Sequence, residues 1–127
     1  MEQEKMKYLE KLVGKTPMLE LIFDYNGEER RIFVKNESYN LTGSIKDRMA
    51  FYTLKKAYEK GEIKKGAPIV EATSGNTGIA FSAMGAILGH PVIIYMPDWM
   101  SEERKCLIRS LGANIVLVSR EEGGFLG

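Results

Sequence analysis

The sequence predicts an α/β fold, a doubly wound parallel sheet preceded by a β-hairpin segment. Three observations carry this. From Pro68 onward, apolar strand-like runs alternate with helical stretches. The runs are continuous rather than alternating, and an earlier pair of strand-like runs flanks a turn-rich stretch.

In chain order, Met1 to Lys11 alternates charged with apolar residues and reads as a helix. Met18 to Ile22 and Arg31 to Val34 flank Asp24-Tyr25-Asn26-Gly27, which reads as a hairpin. A helix from about Ser44 to Lys60 turns Ile45, Met49, Tyr52 and Ala57 one way and Arg48, Lys55 and Glu59 another, and is expected to lie against the sheet. Ile69-Val70-Glu71 is the first strand of the parallel unit, and Asn76 to Leu88 the next helix, ended by Gly89-His90-Pro91. Val92 to Met96 is apolar throughout, as in a strand covered on both faces, and Pro97-Asp98 closes it. Ser101 suits an N-cap, Glu102 and Glu103 the positive end of a helix, and Gly112 its end. Ile115 to Val118 is the third strand. Right-handed crossovers then join a β-α-β-α-β unit.

This divides the chain into residues 1–39, a helix and hairpin, and residues 40–127, a small α/β domain. Gly123-Gly124-Phe125-Leu126-Gly127 falls where another helix is expected, so a longer parent protein is expected too.

With 127 residues and a net charge of +1, the chain has room for one domain with a core, and its cations form no stripe. Nucleic acid is not the natural partner. No run approaches the ~18 apolar residues of a membrane span, and the first residues resemble neither signal peptide nor anchor. The single cysteine, Cys106, can form no internal disulfide. A cytoplasmic location is the expectation.

Two loops carry candidate chemistry. Thr73-Ser74-Gly75-Asn76-Thr77-Gly78 joins a strand to a helix and combines hydroxyls and an amide with glycines. Its N–H groups at a positive helix terminus suit a phosphate or carboxylate. The plain alternative is an ordinary strand-to-helix turn; no Walker loop or GxGxxG is present. In the second loop, Asn40 to Arg48, Lys46 falls in the first turn of a helix. A cation is disfavoured there, and burial would add to the effect, favouring the neutral amine that Schiff-base chemistry requires. The alternative is a solvated helix-start lysine, one of twelve lysines. Helix starts gather at the carboxyl ends of parallel strands, so the two loops can face one crevice.

At these loops the chain resembles the cysteine synthase and cystathionine β-synthase branch of the fold-type II enzymes dependent on pyridoxal phosphate (PLP). The resemblance rests on Asn40-Leu41-Thr42-Gly43-Ser44-Ile45-Lys46-Asp47-Arg48 and on Thr73 to Gly78. It extends to Val13-Gly14-Lys15-Thr16-Pro17-Met18, Met96 to Arg104 and Leu111-Gly112-Ala113. It implies that Lys46 is the Schiff-base lysine and that Asn76 contacts the 3′-oxygen of PLP. Thr73, Ser74, Gly75, Asn76 and Thr77 then grip the substrate carboxylate. The implied reaction is β-replacement or β-elimination on an amino acid, with O-acetylserine, cysteine or serine as donor and sulfide or a thiol as acceptor or product. The resemblance also implies that the phosphate cup and pyridine contact lie beyond this chain, and that residues 1–39 pack with a large C-terminal domain. A homodimer is the family's usual assembly.

Leu41 and Ala72 replace prolines of the family pattern and relax backbone stiffness beside the site. Trp99 could tune the substrate or simply cover a helix start. An interaction module without catalysis is the alternative from another class, and a serine or threonine dehydratase the alternative reaction; Thr77-Gly78 speaks for the cysteine synthase branch. His90 reads as structural, Cys106 as a small packing residue, and Lys55, Lys56, Lys60, Lys64 and Lys65 as a solvated helix end.

Overall fold

The computed structural model describes residues 2–124. Helix α1 (Glu2–Leu12) leads into the hairpin strands β1 (Met18–Tyr25) and β2 (Glu28–Lys35). A short 3-10 helix (Glu37–Tyr39) precedes α2 (Lys46–Glu59). There follow β3 (Ile69–Ala72), α3 (Asn76–Leu88), β4 (Val92–Pro97), α4 (Glu102–Ser110) and β5 (Asn114–Val118). Strands β3, β4 and β5 form a parallel sheet in that order, so the α/β class and the hairpin stand as the sequence indicates. Phe125, Leu126 and Gly127, in the tail expected to open another helix, lie outside the described residues.

The core forms around α3. Its alanine-rich sequence favours helix, and every residue from Gly78 to Gly85 is buried, as is Leu88. A helix apolar on all sides must be enclosed on all sides. One side meets β3 and β4, and the others meet α1, α2 and α4. Leu9, Leu54, Met84, Ile94, Met96 and Ile108 fill the space between. Ser82 is tolerated there because its hydroxyl donates to the Gly78 carbonyl at 2.6 Å. Gly89, at φ 83°, ends the helix, and the Gly85 carbonyl accepts from both Gly89 and His90 N–H.

Four features depart from the sequence expectation. On α2, Ile45 (56% exposed), Met49 (41%) and Tyr52 (61%) face outward, whereas Asp47, Ala50 and Leu54 are buried. The periodicity was there, but a polar anchor at Asp47 rotates the buried stripe by two positions. Helix α2 also packs on α3 and α1 rather than on the sheet. The sheet is covered on one face among the described residues: Val92, Ile94 and Met96 are buried, while Val70, Tyr95 and Val116 of the opposite face are exposed. Two right-handed crossovers running in the same direction place α3 and α4 on the same side. Finally, the 1–39 segment divides. Leu9 anchors α1 in the core beside α2 and α3, while the hairpin pairs with itself alone among the elements.

The hairpin register runs from Met18 opposite Lys35 to Tyr25 opposite Glu28. Asn26 and Gly27 both have positive φ, 55° and 78°, as a two-residue turn matched to strand twist requires. The Gly27 N–H donates to Asp24 Oδ1 at 3.0 Å. Nothing lies within 4 Å of a Cβ built on Gly27, so Gly27→Ala is expected to lose about 1 kcal/mol through left-handed backbone strain alone. Urea unfolding checks this, provided the hairpin unfolds with the core.

Candidate active site

The carboxyl ends of β3, β4 and β5 border a cleft of about 160 Å³ lined by Ala72, Thr73, Tyr95, Met96, Pro97, Val118 and Gly124. Open α/β sheets bind ligands at this edge. Thr73 enters the site from β3, held by its N–H donating to the Tyr95 carbonyl at 2.9 Å. Its hydroxyl accepts from Gly75 N–H at 3.3 Å, folding the loop back before α3 begins. Gly75 is the N-cap residue, and its carbonyl accepts from Gly78 and Ile79 N–H at 3.0 and 3.3 Å. The N–H groups of Asn76 and Thr77 consequently have no acceptor within the helix and point out of its positive end. Thr73, Ser74, Gly75 and Thr77 are half-buried and Asn76 is exposed. At Gly78 a Cβ would lie 2.8 Å from Thr73 Cγ2, so glycine there allows the loop to close on the helix.

Lys46 is the first residue of α2 and is exposed. The described residues do not bury its side chain. Its amine has no hydrogen bond or ion pair among the described residues, so it is available to react. The segment leading to it, Leu41-Thr42, lines a groove with Ile79 and Ala83 of α3. Lys46 and Asn76 are the first residues of α2 and α3, two helices that pack on each other, and Lys46 is not among the residues lining the cleft at Thr73.

Six residues around Lys46 form a support to which the sequence assigns no role: Thr16, Glu37, Asn40, Thr42, Asp47 and Arg48. Asp47, fully buried, accepts from Thr42 N–H and Thr42 Oγ1, each at 2.6 Å. Glu37 accepts from Arg48 Nε at 2.7 Å and Nη2 at 2.9 Å, from Thr16 Oγ1 at 2.6 Å and from Asn40 Nδ2 at 2.8 Å. Asp47 and Arg48 follow the lysine directly, but Glu37 sits in a 3-10 turn with no motif to flag it. Hydrogen bonds from Arg48, then Thr16, hold the Glu37 carboxyl at about 2, below its ordinary 4.5. The folded state therefore binds fewer protons than the unfolded state between those values. Glu37's contribution to stability is full above about pH 4.5 and is lost as pH falls toward 2. The stability gap between the native chain and Glu37→Gln is expected to shrink over that window in urea titrations.

The other candidates lie as follows. His90 is buried, its Nδ1 2.7 Å from the Ala67 carbonyl and its Nε2 paired with the Tyr58 hydroxyl. Cys106, expected to pack, is exposed, because α4 buries Lys105 and Ile108 instead. Lys105 reaches back to the Asp98 carbonyl and to Glu102, both at 2.7 Å. Ser101 occupies the N-cap position without a side-chain cap bond. Trp99 lies under the Arg120 guanidinium, 4.9 Å from its ring centre. Lys55 and Lys56 of the lysine cluster pair with Glu10 and Glu59. No helix among the described residues is long and apolar enough to cross a membrane.

The family model of pyridoxal-phosphate dependent enzymes matches residues 9–126. The chain belongs to this family. Within the PLP-dependent enzymes, it is 44% identical over 120 residues to cysteine synthase B of Salmonella typhimurium, a match covering 93% of this chain and 39% of that protein. A solved structure of a hydrogen sulfide-producing enzyme from Fusobacterium nucleatum superimposes with a TM-score of 0.95 at 93% identity. That match covers 98% of this chain and 37% of the other. Cysteine synthase from Entamoeba histolytica superimposes with a TM-score of 0.79 at 38% identity, over 92% of this chain and 36% of the other. The chain therefore spans under two-fifths of the length of these PLP-dependent relatives.

The residues present suit the family's cofactor. A reactive aldehyde needs an unengaged amine, found at Lys46, and an oxygen substituent on its ring needs a polar side chain, which Asn76 offers at the start of α3.

Proposed function

We propose that this chain supplies the cofactor-anchoring lysine and the carboxylate grip of a PLP-dependent enzyme that breaks or forms a carbon–sulfur bond at the β-carbon of an amino acid. Lys46 would attach the cofactor and Asn76 would contact its 3′-oxygen. Thr73, Ser74, Gly75, Asn76 and Thr77 hold the substrate carboxylate. When bound, PLP is the electron sink for bond breaking at the α- and β-carbons.

The chain's own groups divide the remaining work. The Thr73 and Ser74 hydroxyls and the first-turn N–H groups of α3 are donors suited to two carboxylate oxygens, fixing the amino acid at its α-carbon. Lys46 Nζ, as a free amine, would be the base for the α-proton. Cysteine is the favoured substrate, its thiol leaving as sulfide. The observation that carries this reading is the unengaged amine opening α2, in a chain 93% identical to a hydrogen sulfide-producing enzyme. The cysteine synthase relatives support the same β-carbon chemistry with sulfide entering instead.

The exposed hairpin, with Phe33 69% and Ile22 54% exposed, supports packing of part of residues 1–39 against a further domain of the parent protein. A cytoplasmic homodimer completes the proposal. The test is sulfide release from cysteine, and its consumption with O-acetylserine, in the presence of PLP and beside Lys46→Ala. Lysine-dependent sulfide release supports the reading. A lysine-dependent visible band without turnover leaves this chain a cofactor-binding part only, and absence of the band leaves an interaction module.

A further inference from the structure

We propose that Glu37 is a positioning residue for Lys46: with Arg48 and Thr16 it clamps the first turn of α2 and so fixes where the lysine amine stands. The inference rests on the role proposed for Lys46 and adds to it a residue that lies outside both site loops and bonds to the two ends of the lysine loop, Asn40 and Arg48.

Helix α2 begins without an ordinary cap. Its N-cap residue, Ile45, is already in the right-handed helical region and makes no side-chain cap bond. The backbone bonds that open the helix are long, Asp47 N–H to Ser44 O at 3.3 Å and Arg48 N–H to Ile45 O at 3.2 Å. A helix start held by such bonds alone frays readily, and here Ser44 Oγ, which accepts from Lys46 N–H at 3.2 Å, and the Asp47–Thr42 bracket supplement them on one side. The side-chain bonds immediately beyond Lys46 are shorter and charge-assisted, a class roughly twice as strong as neutral bonds. The guanidinium of Arg48 meets Glu37 through two nitrogens, at 2.7 and 2.9 Å.

Glu37 is in turn fixed from three directions. Thr16 donates to it and accepts from Arg48 Nη2 at 3.1 Å. Asn40 donates to its carboxylate and its carbonyl, while Asn40 Oδ1 accepts from Gly14 N–H at 2.8 Å. Gly14, at φ +80°, passes so close that a Cβ would stand 3.1 Å from Arg48 Nη1. The clamp therefore ties the α1–β1 connection and the 3-10 turn to the residue two places after Lys46. An amine on a four-carbon stem is placed only as well as its Cα, and misplacement of about 1 Å can reduce a rate a hundredfold.

The test uses the chain with PLP, Glu37→Gln, the conservative Glu37→Asp, and Arg48→Lys, which keeps the charge but loses the fork. One readout is amide hydrogen exchange at residues 45–49 compared with α3. The other is borohydride trapping of PLP at Lys46, scored by peptide mapping against Lys55 and Lys65 in the same sample. Glu37→Gln is expected to speed exchange in the first turn of α2 on the order of tenfold, leave α3 unchanged, and lower trapping at Lys46 alone by a similar factor. Glu37→Asp is expected to recover most of both effects. Unaltered exchange at 45–49 overturns the proposal. So does equal acceleration across α2 and α3, because Glu37 would then merely hold the fold. Should Glu37→Gln not fold, Arg48→Lys decides in the same way. Absence of trapping at Lys46 in the native chain would sink the cofactor reading, while the exchange measurement would still decide the role of Glu37.

Discussion

Lys46→Ala is expected to abolish the visible band that PLP gives with the chain and to lower any sulfide release by a thousandfold or more, on the order seen when a covalent catalytic group is removed. The fold should survive, because the Lys46 side chain is exposed and its amine makes no hydrogen bond or ion pair among the described residues. The helix start keeps its Asp47–Thr42 bracket and its Arg48–Glu37 clamp in the variant. Circular dichroism and the urea midpoint should therefore match those of the native chain while the band is lost. A joint loss of band and fold would show that the lysine is structural.

Gly85→Ala is expected to act in the opposite way, destabilising the fold without touching a reactive group. A Cβ at this position would lie 2.2 Å from Val92 Cγ2 and 3.3 Å from the His90 carbonyl oxygen. Neither neighbour yields easily. Val92 is a buried, β-branched residue of β4, and the carbonyl is backbone at the end of α3. In an open helix the same change would gain about 1 kcal/mol of helix propensity. Overpacking in a filled core opposes this with about 3 kcal/mol, for a net loss of about 2 kcal/mol. A urea titration reads it directly, and an unchanged or raised midpoint would mean that α3 and β4 stand further apart than described.

The parts of the fold legible in the sequence are those where local rules and packing agree. Helix α3 runs from Asn76 to Leu88 as read, because Gly89 ends it by a left-handed cap that few other residues adopt cheaply. The hairpin turn at Asn26-Gly27 follows from the same conformational freedom. What the sequence hid was decided by partners distant along the chain. The buried stripe of α2 could not be read from periodicity, because Asp47 is buried only by virtue of Thr42, and Arg48 is drawn aside by Glu37. Cys106 looked like core by residue type, yet α4 turns Lys105 inward toward the Asp98 carbonyl. The open face of the sheet depends on crossover direction, which no single strand records.

The two candidate loops were legible because each carries its chemistry in consecutive residues, Thr73 to Gly78 and Asn40 to Arg48. Their support was not. Glu37 gathers bonds from residues 16, 40 and 48, and no spacing in the sequence announces that convergence.

The most direct measurement is the location of PLP after borohydride reduction of the native chain, by mass mapping of its twelve lysines. The reduced cofactor is expected on the peptide containing Lys46, with little elsewhere. A spread over the other exposed lysines in proportion to their accessibility, or a single tag on any lysine but Lys46, would contradict it.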